Sequence, residues 1–117
     1  KEKLQEMGIE VVMHKKGLIQ GNFEIDLLLP ELNTIIEVDG PSHFYPIWGE
    51  DKLQKQINAD LRKSGTLLSK GYVVIRIKSL GQEALSKKES LATRVIDQLE
   101  SVKKKFPPRS KRFIEVE

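Results

Sequence analysis

The chain has 117 residues, 38% hydrophobic and 32% charged, which suits one globular domain with a single core rather than a disordered chain. With no cysteine it holds no disulfide, thiolate zinc site or cysteine nucleophile, and no apolar run approaches the roughly 20 residues of a membrane span. The net charge of +3 is modest but unevenly spread: Lys103, Lys104, Lys105, Arg109, Lys111 and Arg112 crowd the C-terminal end, and Lys52, Lys55, Arg62, Lys63 and Lys70 share a central segment. Basic surface of this kind suits a polyanionic partner, although each cluster alone also reads as a solvated helix face or tail.

In chain order, residues 1–7 read as the end of a helix stopped at Gly8, Ile9 to Met13 as a strand, and His14 to Gly17 as a turn, with His14 a surface residue. Segment 23–29 alternates, with Phe23, Ile25, Leu27 and Leu29 on one face and Glu24, Asp26 and Leu28 on the other. Segment 34–39 alternates likewise, Ile36 and Val38 against Ile35, Glu37 and Asp39. A turn at Pro30-Glu31-Leu32-Asn33 closes them into a hairpin whose register sets Asp26 across from Glu37 and Glu24 across from Asp39. Like charges directly opposed on one sheet face repel, and burying either unpaired costs several kcal/mol. Neither strand carries Lys or Arg, so the pattern calls for a cation from elsewhere, and a hard divalent metal with oxygen ligands answers it. A solvated sheet face ending in an Asp-Gly-Pro turn is the plainer alternative.

The loop 40–49 carries Phe44, Tyr45 and Trp48, which either stack on or wedge between bases or cap the core beneath a long loop. Residues 51–70 are helical in pattern, with Leu53, Ile57, Leu61, Leu67 and Leu68 as the apolar side and Ser64-Gly65-Thr66 a weak middle that can kink. Gly71 ends that helix, 72–78 is a strongly apolar strand, and strand–helix–strand makes a right-handed βαβ unit with parallel strands. From 82 to 105, Leu85, Leu91, Val95, Leu99 and Val102 repeat at helical spacing and should pack on the sheet, and 106–117 reads as a basic C-terminal tail. The expected fold is α/β: a mixed sheet with an antiparallel hairpin and a right-handed βαβ unit, flanked by helices.

Asp26, then Glu37-Val38-Asp39, then a helix returning to a parallel strand resembles the restriction-endonuclease-like core of the PD-(D/E)XK nucleases, over roughly residues 22–78. The branch it most resembles is the Vsr-like endonucleases, and within it the phage EDxHD homing endonucleases. The resemblance implies that Asp26 binds metal with one or both of Glu37 and Asp39 and with the Val38 carbonyl, Asp39 standing where the superfamily usually has lysine. It further implies that His43 and Asp60, the latter in an Asp-x10-Gly-aromatic setting, are the branch's catalytic histidine and aspartate.

On this reading 1–117 is a single catalytic domain, a fragment of a longer protein, acting in the phage or bacterial host cytoplasm as a monomer or weak homodimer, with no membrane partner. The implied activity is Mg²⁺-dependent hydrolysis of double-stranded DNA, with Mn²⁺ as a substitute. The string EVDGPSHF also resembles RAP domains, non-catalytic RNA-binding modules; their usual lack of an acid at the position of Asp60 favours the nuclease. Phosphodiester hydrolysis needs charge stabilisation at the phosphoryl oxygens and a deprotonated water, for which carboxylate-held metal and an imidazole oriented by a carboxylate are suited. Gln56 and Lys63, one turn either side of Asp60, are candidate phosphate contacts, and Arg76 is either a phosphate contact or a sheet-face counter-ion.

Overall fold

The computed structural model describes residues 8–16, 24–79 and 85–117. Five strands form one mixed sheet in the order β1 (Val12–Lys16), β2 (Glu24–Leu29), β3 (Thr34–Asp39), β4 (Val73–Lys78), β5 (Phe113–Val116), with helices α1 (Glu50–Ser69) and α2 (Leu85–Lys104) in the crossovers. β1, β2 and β3 are successively antiparallel; β3, β4 and β5 are parallel. The expected segments 1–7, Phe23 and the first turn of the second helix lie outside the described residues.

The β2–β3 hairpin has the expected register, pairing Leu27 with Ile36 and Leu29 with Thr34. Its turn is fixed by Pro30 and by Asn33, which adopts the left-handed conformation (φ 50°) and donates its N–H to the Pro30 carbonyl. α1 starts behind Gly49, whose φ of 101° suits glycine, and Glu50 and Asp51 face the positive end of its dipole. It runs unbroken through Ser64-Gly65-Thr66 and stops at Gly71 (φ 90°), where the N–H groups of Gly71 and Tyr72 fold back on the carbonyls of Leu68 and Leu67.

Four expectations are corrected. Strict alternation breaks within β2: Ile25 packs with Leu28 in the core under α1, while Leu27 and Leu29 face the core under α2. The first strand is Val12–Lys16, so His14 to Lys16 are strand rather than turn: Lys15 and Lys16 pair with Ile25 and Glu24, extending the ladder. The basic tail is not all tail, because Phe113–Val116 adds a fifth strand beside β4. On α1, Leu61 is 68% exposed, since the line turned to the sheet is Asp60, Ser64 and Leu67, with Leu68 packed beside Leu67. Leu85, at the start of α2, is exposed as well.

The sheet is covered on both faces. Leu29, Ile36, Val73, Ile75 and Val116 pack with Leu91, Val95, Leu99 and Val102 of α2 in the larger core. Ile25, Leu28, Ile35 and Val74 pack with Leu67 of α1 in the smaller one. Both parallel crossovers step the same way across the sheet with helices on opposite faces, so they are of opposite hand and only one follows the right-handed rule. Among the described residues no helix is long and apolar enough to cross a membrane.

Candidate active site

The α1 face of the sheet changes character towards the C-terminal ends of β3 and β4. Ile35 and Val74 lie in hydrocarbon, and the next residues on that face, Glu37, Asp39 and Arg76, are buried charges. Strand alternation puts them there, and the middle of α1 supplies the matching line Gln56, Asp60, Lys63 and Ser64 at one-turn spacing.

One register step beyond the Leu27–Ile36 pair, the regular ladder gives way. Asp26 Oδ2 accepts the Val38 N–H at 2.9 Å, so the side chain replaces a strand partner. The contact made to Asp26 by Val38 is thus through its N–H, while its own side chain is exposed. Glu37 is 3% exposed, and Lys63 Nζ lies 3.0 Å from its Oε1 while donating to the Glu24 carbonyl at 2.6 Å. That is ion-pair range, yet no hydrogen bond of acceptable geometry reaches Oε1, so a buried carboxylate oxygen is left without one. Burial pushes the Glu37 carboxyl up from 4.5 to about 7; Lys63 opposes the rise and Asp26 adds to it.

Asp39 is bound quite differently. Arg76 grips both of its oxygens, Nε to Oδ2 at 2.7 Å and Nη2 to Oδ1 at 2.6 Å, and donates through Nη1 to Ser64 Oγ at 2.8 Å. Burial works to lower the Arg76 pKa, but Asp39 foremost, with Asp60 and Glu37, carries it above its ordinary value. Arg76 is therefore a sheet-face counter-ion. Asp60 completes the group: Oδ2 is 2.7 Å from His43 Nδ1, Oδ1 accepts from Gln56 Nε2 at 2.9 Å, and Arg76 Nη2 is 3.4 Å from Oδ1. With Nδ1 donating to the carboxylate, His43 Nε2 is the nitrogen left for other chemistry.

Two acidic sets are thus candidates for a cation. Asp39, His43 and Asp60 offer ligand atoms within 4.8 Å of one another, the one such set of three among the described residues. Their charge and lone pairs are already committed to Arg76, to Gln56 and to each other, so a metal would have to dismantle the cluster. Asp26 and Glu37 instead share a small open pocket with Lys63, Gln56 and Asp60, and Glu37 brings to it an oxygen without a hydrogen bond. Two hard carboxylates with room for water and phosphate are what Mg²⁺ commonly takes.

Of the expected nucleic-acid contacts, Lys63 turns inward to Glu37 and Gln56 to Asp60, while Trp48 (71% exposed) and Tyr45 stand in solvent, against the core-capping alternative for those two. Trp48 and Tyr45 border a surface depression with Lys52, Lys55 and Gln56, and Gln56 also borders the acidic pocket, so the two are continuous. Phe44 is half-buried under Lys78, whose Nζ is 4.7 Å from the ring centre. His14 is a surface residue, 3.0 Å from the Glu24 carboxylate. Sequence reasoning missed Ser64 as the acceptor for Arg76 and Lys63 as the counter-ion of Glu37, although the 56-60-63-64 spacing already placed both on the Asp60 face. No protein family, curated protein or solved structure matches the chain significantly.

Proposed function

We propose that the chain is a divalent-metal-dependent endonuclease of the restriction-endonuclease-like, Vsr-like kind, hydrolysing phosphodiester bonds in double-stranded DNA. The observation that carries this reading is the His43–Asp60 hydrogen bond, 2.7 Å long, beside a pocket in which Glu37 buries a carboxylate oxygen without a hydrogen bond. Asp26 and Glu37 would hold Mg²⁺, or Mn²⁺ in its place, which when bound stabilises charge on the phosphoryl oxygens and acidifies water.

The protein's own groups do the rest. Asp60, held by Gln56, fixes the imidazole tautomer so that Nε2 takes a proton from water as its oxygen attacks phosphorus. The bond from phosphorus to the leaving oxygen breaks in line with that attack, and the leaving oxygen is protonated from solvent. Asp39 and Arg76 act at one remove: their bidentate pair keeps a buried positive charge 3.4 Å from Asp60 and so anchors it. Trp48, Tyr45, Lys52 and Lys55 supply a platform of aromatic rings and ammonium groups that suits a strand leading into the pocket.

The test is incubation of supercoiled plasmid with the chain in Mg²⁺ and in EDTA, alongside Asp26→Asn. Conversion to nicked or linear plasmid is expected in Mg²⁺ only, and to be lost in the variant. Equal cleavage by Asp26→Asn, or in EDTA, contradicts the reading. Mg²⁺-independent RNA binding with no cleavage would assign the chain to the RAP-like alternative.

A further inference from the structure

α1 carries apolar residues on the flank beside its sheet-facing line: Ile57 and Leu68 are half-buried there, and Leu61 stands in solvent. Ile57, Leu61 and Leu68, with Gly65 between them, form one wall of a groove of about 860 Å³ whose other wall is the edge strand β5, through Phe113 and Glu115. Leu61 is 68% and Phe113 42% exposed. The floor of this groove is the catalytic group itself, because Asp39, His43, Asp60 and Arg76 border both it and the acidic pocket.

We propose that this groove receives a DNA base turned out of the helix next to the scissile phosphate, an inference that rests on the nuclease reading above. A phosphate positioned over His43 puts its adjoining sugar and base within one nucleotide's reach of the groove mouth. The walls are those an unstacked base needs: aliphatic side chains from α1 on one side, and aromatic Phe113 and Phe44 on the other. Charge selects the base over the backbone. Glu115 and Glu117 border the groove and repel phosphate, whereas a carboxylate accepts a hydrogen bond from the amino group of cytosine or adenine. The single lysine at the groove, Lys78, lies against the Phe44 and Tyr45 rings, 4.7 and 6.0 Å from their centres.

The test uses the cleavage-silent Asp26→Asn chain in EDTA, with two DNA duplexes identical except that one carries a single unpaired 2-aminopurine. The bulged duplex is expected to bind about tenfold tighter, the scale of one stacked base, with a change in 2-aminopurine fluorescence. Adding Leu61→Gln and Phe113→Ala should erase that preference and the fluorescence change while leaving affinity for the paired duplex intact. Both side chains are exposed, so neither exchange opens the core. Equal affinity for the two duplexes, or a preference surviving both substitutions, overturns the groove assignment, and plasmid cleavage in Mg²⁺ by the unsubstituted chain would then leave the nuclease reading standing. Neither duplex bound and no plasmid cut overturns both. Self-association of the chain that Leu61→Gln abolishes gives the groove to a second copy and also overturns the proposal.

Discussion

The two faces of the sheet are built from the same three central strands to different ends. Under α2 no charge is buried among the described residues: Ile36 and Ile75 lie against Val95 and Leu99, and the one buried polar side chain, Thr34, donates its hydroxyl to the Leu32 carbonyl. Under α1 the hydrocarbon stops at Ile35 and Val74, and the next residues on that face are Glu37 and Arg76. The first face gains stability from each side chain it buries; the second spends part of that gain on desolvated charge. Within the second face the charges divide again. Asp39 and Arg76 satisfy each other at hydrogen-bond distance, while Glu37 has a lysine near it and a pKa pushed to about 7. A matched pair is structural; a carboxylate left partly unsatisfied has capacity for another cation.

The comparison breaks most sharply at Arg76. Arg76→Met strands a buried Asp39 and takes the charge away from Asp60, and should cost about 3–5 kcal/mol in urea unfolding. Leu99→Ala on the opposite face should cost about 2–5 kcal/mol by leaving a cavity, with no change in the pH dependence of stability. If Arg76→Met proves harmless, the charged network is decoration.

Glu37→Gln should act in the opposite direction. Between pH 4.5 and 7 the unfolded chain has lost the Glu37 proton while the folded chain keeps it, so stability falls as pH rises through that window. The glutamine variant escapes this loss. It should be more stable than the parent at pH 8 without metal, by up to about 3 kcal/mol, and indistinguishable from it near pH 4.5. Denaturant titrations at the two pH values decide it. For the same reason Mn²⁺ affinity, read by calorimetry, should rise with pH and level off above about 7.

The smallest effect sharpens the contrast. Lys63 is the cation already resident at Glu37, so a metal has to displace its ammonium. Lys63→Met should bind Mn²⁺ more tightly, by roughly tenfold or 1.4 kcal/mol, whereas Arg76→Met should not. Weaker Mn²⁺ binding by Lys63→Met would mean that the lysine helps to hold the metal site together.

Local signals were legible in the sequence and tertiary ones were not. The Pro30–Asn33 turn set the hairpin register, and strand spacing alone predicted the opposed acids; the parallel β3–α1–β4 crossover followed from element order. The neutralising cations come from α1 and β4, at positions 63 and 76, which no inspection of the hairpin could supply. β5 was missed because four residues, Phe113 to Val116, follow a basic, proline-broken stretch and become a strand only by pairing with β4. On α1 the apolar pattern finds Leu67 and Leu68 at the core but misplaces Leu61, because the side of the helix over the site is polar by necessity. His43 and Asp60 pair through the family resemblance rather than through spacing, since they lie seventeen positions apart across loop and helix.

The central claim is that His43 and Asp60 act as one unit on the α1 face, and a single-turnover cleavage cycle over the two residues tests it most directly. With the chain in excess over plasmid in saturating Mg²⁺, His43→Ala should slow cleavage on the order of 10²–10⁴-fold. Asp60→Asn should slow it too, and the double variant should be scarcely slower than His43→Ala alone, because groups acting through one hydrogen bond are not additive. Fully multiplicative losses would place Asp60 in a separate role, and an undiminished rate for His43→Ala would remove the imidazole from the reaction.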